Sequence, residues 1–374
     1  MYLADQGAQV IKVEPPGGDD ARRFYTSAPI AGEDRGFLVV NRNKRGMVVS
    51  LSTPTGREII HRLLDGADVF LENFRPGAAE RVGLDYDTLH ARYPRLIYAS
   101  LSALGARGPY AGQPAYDMVV QALSGIMGQR QHPDGTPMSA GVWVADCSTP
   151  MTLAYGITLA LLVRDRTGVG QRVETALVNQ GLAMQSVELV RGEADGTRPP
   201  QRFMAQAMYS PYQCADGLWL VCVVVNNDQW RRLCHALEAE ALAEDPEFDD
   251  SLKRARETEV LYPILSNLYA ARPREEWLHL LREADLPCAP VLRREEVFSH
   301  PQFVENDMIA EVEHPTAGKL KMMGVPVRLS QNPPRQLSLG QAGPTLGQHT
   351  REVLLDYGYS EAEVASLYNE GVVG

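Results

Sequence analysis

Asp146 ends the apolar run Gly141-Val142-Trp143-Val144-Ala145 and opens a nearly all-apolar stretch, Cys147 to Val163. An unpaired ionised carboxylate buried there would cost several kcal/mol or shift its pKa. It must therefore be capped, paired or used. One reading is structural: Asp146 as the N-cap of a helix that carries Pro150 in its first turn, a position both residue types favour. The other is chemical, because a helix N-terminus holds a carboxylate as the anion, the form a nucleophile needs. The two are compatible. Cys147, next in sequence, offers a thiol, but a free cysteine in such a run reads as a small buried hydrophobe.

The second cluster is Asn73-Phe74-Arg75-Pro76-Gly77-Ala78-Ala79-Glu80-Arg81, which follows the strand-like run Val69–Glu72. Ligands of open α/β sheets bind outside strand ends, and arginine suits bidentate phosphate contacts. The alternative is a solvated loop whose arginines pair with Glu72 or Glu80. Thr167-Gly168-Val169-Gly170-Gln171 ends a helical pattern instead of opening one, and lacks the spacing of a nucleotide loop. It reads as a helix C-cap and turn, so NAD or ATP binding is not supported. The eight histidines form no H-x-x-x-H or Cys/His cluster, so no metal site is expected.

These residues need a scaffold. Ala8–Glu14, Gly46–Leu51, Val69–Glu72 and Leu96–Ser100 read as strands, and Arg172–Thr175 as a last one. Thr53-Pro54 starts a helix to Leu64, with threonine as N-cap and proline at the first helical position. Tyr86–Arg92, Tyr116–Met127 and Pro150–Val163 read as further helices. The alternation predicts a parallel sheet with helices on both faces. Pro150–Val163 is too short for a bilayer and reads as a buried helix. Gly192, Glu193, Asp195, Gly196, Pro199 and Pro200 mark a linker. Beyond it, Leu218–Val225 is strand-like, and Asp228–Leu237 and Ser251–Ala271 are helical. From about His300 the pattern is strand and loop until a final helix, Glu361–Leu367.

The chain has 374 residues, 44% hydrophobic and 22% charged, ordinary for a globular protein. A net charge of −11 argues against nucleic acid or an anionic membrane as the main partner. Five scattered cysteines without a C-x-x-C pair fit reduced thiols, and Met1–Gln6 has no secretory pattern. The expectation is a cytoplasmic protein.

Around Asp146 stand Ala115-Tyr116-Asp117-Met118 and Arg164-Asp165-Arg166-Thr167-Gly168. Further out come Val10-Ile11-Lys12-Val13-Glu14, Asn41-Arg42-Asn43-Lys44-Arg45-Gly46, Glu72-Asn73-Phe74-Arg75-Pro76-Gly77, Asp245-Pro246-Glu247-Phe248, Gly324-Val325-Pro326-Val327-Arg328 and Pro344-Thr345-Leu346-Gly347-Gln348-His349-Thr350. In this order the chain resembles, nearly end to end, the family III CoA-transferases, the CaiB/BaiF-type group that includes formyl-CoA transferase and carnitine CoA-transferase. The resemblance implies an α/β fold. Its Rossmann-like large domain, with a parallel sheet, comes from residues 1–190 and 299–374, with a linker at 191–205 and a smaller α+β domain at 206–298. It also implies an interlocked homodimer. The implied activity moves CoA from an acyl-CoA to a free carboxylic acid, through an anhydride and then a CoA thioester on Asp146. Val49, Asn73, Phe74, Arg75, Arg81 and Tyr116 are implied to hold coenzyme A, which is a substrate; no tightly bound cofactor is expected.

Three departures stand beside it. Relatives begin with a further strand and small-residue loop, so an upstream start or truncation is expected. Ser52 stands where many relatives carry lysine. The run Val223-Val224-Val225-Asn226-Asn227-Asp228 stands where some formyl-CoA transferases have a glycine loop, so oxalate and formate specificity is not supported. The α-methylacyl-CoA racemases share the fold and the aspartate but have histidine where this chain has Tyr116. A neutral tyrosine is a poor base at pH 7, which favours transfer. Racemisation and a non-catalytic acyl-CoA-binding dimer remain the alternatives.

Overall fold

The computed structural model describes residues 1–24, 27–129, 131–192, 206–331 and 341–374. The chain divides into two compact units, Met1–Val190 with Pro301–Gly374, and Arg191–His300. Most of the expected linker at 191–205 lies outside the described residues.

In the first unit a short helix α1 (Tyr2–Asp5) leads to β1 (Val10–Glu14). Helix α2 (Arg35–Val40), which the sequence pattern did not reveal, precedes β2 (Lys44–Val48). The two strands pair in parallel, Val10 opposite Lys44 through Glu14 opposite Val48. Helix α3 (Pro54–Leu64) starts as expected: Thr53 Oγ1 accepts the Gly56 N–H at 3.0 Å, and Pro54 occupies the first turn. Its apolar face, Ile59, Ile60, Leu63 and Leu64, enters the main core with Met47, Val49, Leu89 and Val353. Then come β3 (Val69–Glu72), α4 (Ala78–Val82), α5 (Tyr86–Arg92) and β4 (Ile97–Ser102). After α6 (Asp117–Leu123) and α7 (Val144–Thr167), β5 (Arg172–Ala176) joins a parallel sheet in the order β3-β4-β5. Helix α8 (Leu177–Ala183) follows. The expected parallel sheet is thus present as two separate parallel pairings, β1-β2 and β3-β4-β5.

Two expectations about α7 are corrected. The helix begins at Val144, not Pro150, and Trp143 holds the cap position without a side-chain bond. Asp146 is therefore in the first turn instead of capping it. The helix is also not a buried one. Leu153, Ile157 and Ala160 face inward, and the first two pack with Ala99 of β4. Gly156 permits that approach, since a Cβ there would lie 2.9 Å from Val173 Cγ1 of β5. Met151, Tyr155, Leu159 and Leu162 are exposed. At 24 residues α7 is also long and apolar enough, by length and composition, to cross a membrane. Gly168 closes it in the left-handed conformation, its N–H donating to the Arg164 carbonyl at 2.7 Å, the C-cap expected from Thr167–Gln171.

The second unit holds β6 (Pro211–Gln213) and β7 (Trp219–Cys222), then α9 (Asn227–Ala236), α10 (Glu240–Glu244), α11 (Ser251–Arg256), α12 (Thr258–Tyr269) and α13 (Arg274–Glu283). β8 (Cys288–Pro290) completes an antiparallel sheet, β6-β7-β8, and α14 (Arg294–Val297) follows. The expected helix Ser251–Ala271 is broken at Glu257. Asn226 caps α9, its Oδ1 accepting the Gln229 N–H at 2.8 Å, so the Val223–Asp228 run ends in a helix start.

The returning segment adds α15 (Pro301–Glu305), an antiparallel hairpin β9 (Ile309–His314) and β10 (Gly318–Met323), α16 (Thr350–Asp356) and α17 (Glu361–Asn369). It is stapled to the N-terminal part of the same unit by the motif residues. Arg42 and Asp5, both 0% exposed, form an ion pair at 2.7 Å. Arg42 also donates to the carbonyls of Met323 and Gly324. The Val48 N–H donates to Thr350 Oγ1 at 3.0 Å and the Gly46 N–H to His349 Nδ1 at 3.1 Å.

Candidate active site

Strands β3, β4 and β5 are parallel, so the loops leaving β3 and β4 open on the same edge. α7 returns the chain from that edge to the start of β5, which puts its N-terminus, with Asp146, there too. This is the edge where open α/β sheets bind ligands.

Asp146 is exposed, and its carboxylate makes no hydrogen bond or ion pair among the described residues. Surrounding protein nonetheless strips enough water from it to raise its pKa, with the negative charge of Asp117 as the second cause. Its main chain is held firmly. Asp117 Oδ2 accepts the N–H of Ala145 at 2.7 Å and of Asp146 at 3.0 Å. Asp117 therefore supplies the cap that was expected of Asp146. One turn on, Pro150 has no N–H to give the Asp146 carbonyl. The hydroxyls of Ser148 and Thr149 bond back to the carbonyls of Val144 and Ala145. Cys147 is exposed, not buried as expected, yet the surrounding protein still strips water from its thiol and, with the charges of Asp146 and Asp117, raises its pKa. That makes it a poor nucleophile.

Tyr116 holds the cap position of α6 and is 67% exposed; its ring meets Phe24 edge-on at 6.2 Å. Through Asp117 the structure brings Tyr116 and Asp146 to one corner. Asn73, Phe74 and Arg75, which follow β3, and Arg81 of α4 are all exposed. Pro76 of this loop lies 3.6 Å from the Cβ position of Gly112, in the segment leading to Tyr116. Neither Arg75 nor Arg81 forms an ion pair among the described residues. The carboxylate of Glu72 is instead buried, accepting the Phe74 N–H at 2.6 Å and the Tyr98 hydroxyl at 3.4 Å. Burial and the Glu72 charge push the Tyr98 pKa up. The arginines are thus left free for an anion. Val49 is different: it is 1% exposed in the main core and its N–H donates to the Glu14 carbonyl at 2.9 Å. Its side chain is enclosed in the core and does not join the exposed Asn73, Phe74, Arg75, Arg81 and Tyr116. Gln121 was missed. It lies four residues after Asp117 on one helix face, the spacing at which such side chains meet. No group of three or more metal-ligating side chains occurs among the described residues.

The sequence profile of "CoA-transferase family III" matches residues 1–350. The chain belongs to that family. It is 33% identical to succinyl-CoA:glutarate CoA-transferase of Mus musculus, covering 100% of this chain and 86% of the relative. It is 31% identical to formyl-CoA:oxalate CoA-transferase of Streptomyces coelicolor, covering 100% and 94%. The crystal structure of a CaiB/BaiF family protein from Brucella suis superposes with a TM-score of 0.80 at 30% identity, covering 95% of this chain and 93% of that one. This family III chain is an enzyme of the CoA-transferase type.

Proposed function

We propose that this family III enzyme transfers CoA from an acyl-CoA to a free carboxylic acid through covalent intermediates on Asp146. A carboxylate oxygen of Asp146 attacks the thioester carbonyl carbon, and the C–S bond breaks with its electron pair leaving on CoA thiolate. The thiolate then attacks the aspartyl carbonyl of the mixed anhydride and releases the donor acid. The acceptor carboxylate attacks the resulting aspartyl-CoA thioester, and the thiolate returns to the new acyl group, regenerating Asp146. Dividing the reaction in this way replaces one hard step with easier ones.

The observation that carries this reading is the Asp146 carboxylate, exposed and unpartnered among the described residues on a main chain fixed by Asp117. Asn73, Phe74, Arg75, Arg81 and Tyr116 surround the path of the coenzyme, with Arg75 and Arg81 available for phosphate. The relatives named for succinyl-CoA, glutarate and oxalate make short dicarboxylic acids the first acceptors to test. The reading includes a homodimer, supported by the exposed apolar face of α7, Met151, Tyr155, Leu159 and Leu162. It includes a cytoplasmic location, in keeping with five free cysteines.

The test is peptide mass spectrometry after incubation with succinyl-CoA and hydroxylamine. A hydroxamate on Asp146, absent in Asp146→Asn, supports the mechanism. An unmodified Asp146 in protein that binds CoA rejects it.

A further inference from the structure

Asp117 and Gln121 are both 0% exposed and both face the start of α7. A buried carboxylate ordinarily requires a cation, yet Asp117 forms no ion pair among the described residues. Its charge is met by three N–H donors. Oδ2 takes the Ala145 and Asp146 amides at 2.7 and 3.0 Å, and Oδ1 takes Gln121 Nε2. These donors and the positive end of a 24-residue helix offset the negative charge of the carboxylate. Gln121 spends its remaining groups on the segment before the helix. Its Nε2 donates to the Val142 carbonyl at 3.0 Å, and its Oε1 accepts the Ala140 N–H at 2.9 Å. The pair thus clips residues 140–146 to α6 with four contacts to the main chain.

We propose that Asp117, braced by Gln121, is a positioning residue that fixes the main chain of Asp146 and places a second negative charge beside its carboxylate. The inference rests on Asp146 being the reacting group. Two consequences follow from the geometry. The neighbouring anion makes Asp146 more basic, and basicity strengthens a nucleophile once it is ionised. The first-turn amides of Ala145 and Asp146 are also already used. An oxyanion formed on the thioester must therefore find its donors elsewhere, although a helix start is where such donors are usually sought.

The test is a carboxyl carbon-13 NMR titration of Asp146 in the full chain, with and without Asp117→Asn, beside the pH profile of kcat/KM. Asparagine keeps one acceptor oxygen and removes the charge. The Asp146 midpoint is expected to move to lower pH and the acid limb of kcat/KM to move with it. kcat should fall several-fold while KM for acyl-CoA stays unchanged. An unmoved midpoint in folded Asp117→Asn overturns the proposal, as does a rise in KM that accounts for the whole loss. If Asp117→Asn does not fold, Gln121→Met, which keeps the Asp117 charge and removes its brace, is assayed instead, and an unchanged kcat in folded Gln121→Met refutes the positioning role. The titration needs no turnover. A shifted midpoint in a protein whose Asp146 is never trapped as a hydroxamate would keep the positioning role and reject the proposed reaction.

Discussion

Replacing Arg42 with methionine should destabilise the first unit by about 3–5 kcal/mol, the usual result of removing one partner from a buried ion pair. The structure shows why the cost is near the top of what a single substitution does. Asp5 would remain at 0% exposure with Asn43 Nδ2, 2.8 Å away, as its remaining side-chain donor. The Met323 and Gly324 carbonyls would lose the guanidinium as well. Domains of 150–250 residues lose about 2–4 °C in Tm per kcal/mol. Taking the lower slope for a somewhat larger unit, calorimetry should show a fall of roughly 6–10 °C. The double variant Asp5→Leu/Arg42→Met should recover at least half of that, because it removes both charges and leaves neither stranded. A fall under about 2 °C in the single variant, or a double variant worse than the single, would refute the assignment of the Asn41–Gly46 motif to stability.

Arg81→Ala and Arg75→Ala should each raise KM for acyl-CoA by about 10-fold or more with kcat little changed, since a charge-assisted hydrogen bond contributes about 1.5–3 kcal/mol; steady-state kinetics checks this. Asp146→Asn should lower kcat by roughly three orders of magnitude or more without loss of stability. A carboxyl whose folded pKa is raised binds more protons folded than unfolded, so its ionisation lowers stability as pH rises between the two values. Thermal melts at pH 7 should therefore find the asparagine variant at least as stable. For the same reason activity should fade on acidification at a higher pH than an ordinary aspartate dictates. Tyr155→Glu, on the exposed face of α7, should convert the proposed dimer to monomer in sedimentation velocity.

Local grammar was legible. The start of α3 at Thr53-Pro54, the bounds of β3 and α5, and the C-cap at Gly168 all depend on a few adjacent residues. The importance of Asp146 was legible too, because a carboxylate inside an apolar run demands a reason. Its structural role was not. Asp117 caps α7 from another helix, 29 residues before Asp146, and the rules for caps describe neighbours in sequence. The burial of Val49 and Arg42 was not legible either: a family resemblance marks residues as a set, and only long-range packing divides those in the core from those that face outward. Among the missed helices, α2, α4, α8 and α16 have seven residues or fewer, too short for periodicity to register; α13, at ten residues, was missed as well.

The staple between Val48 and Thr350 joins positions 302 residues apart, and Val49 bridges Val373. This matters during synthesis. At about 5–20 residues per second, β2 emerges roughly 15–60 s before the segment that covers it. The Arg191–His300 unit is contiguous and can fold while the first unit is still waiting. During that interval Met47 and Val49, later fully enclosed, face water or a chaperone. Speed of translation through the middle of the chain, and not only the stability of the finished protein, should therefore govern how much of it reaches the folded state.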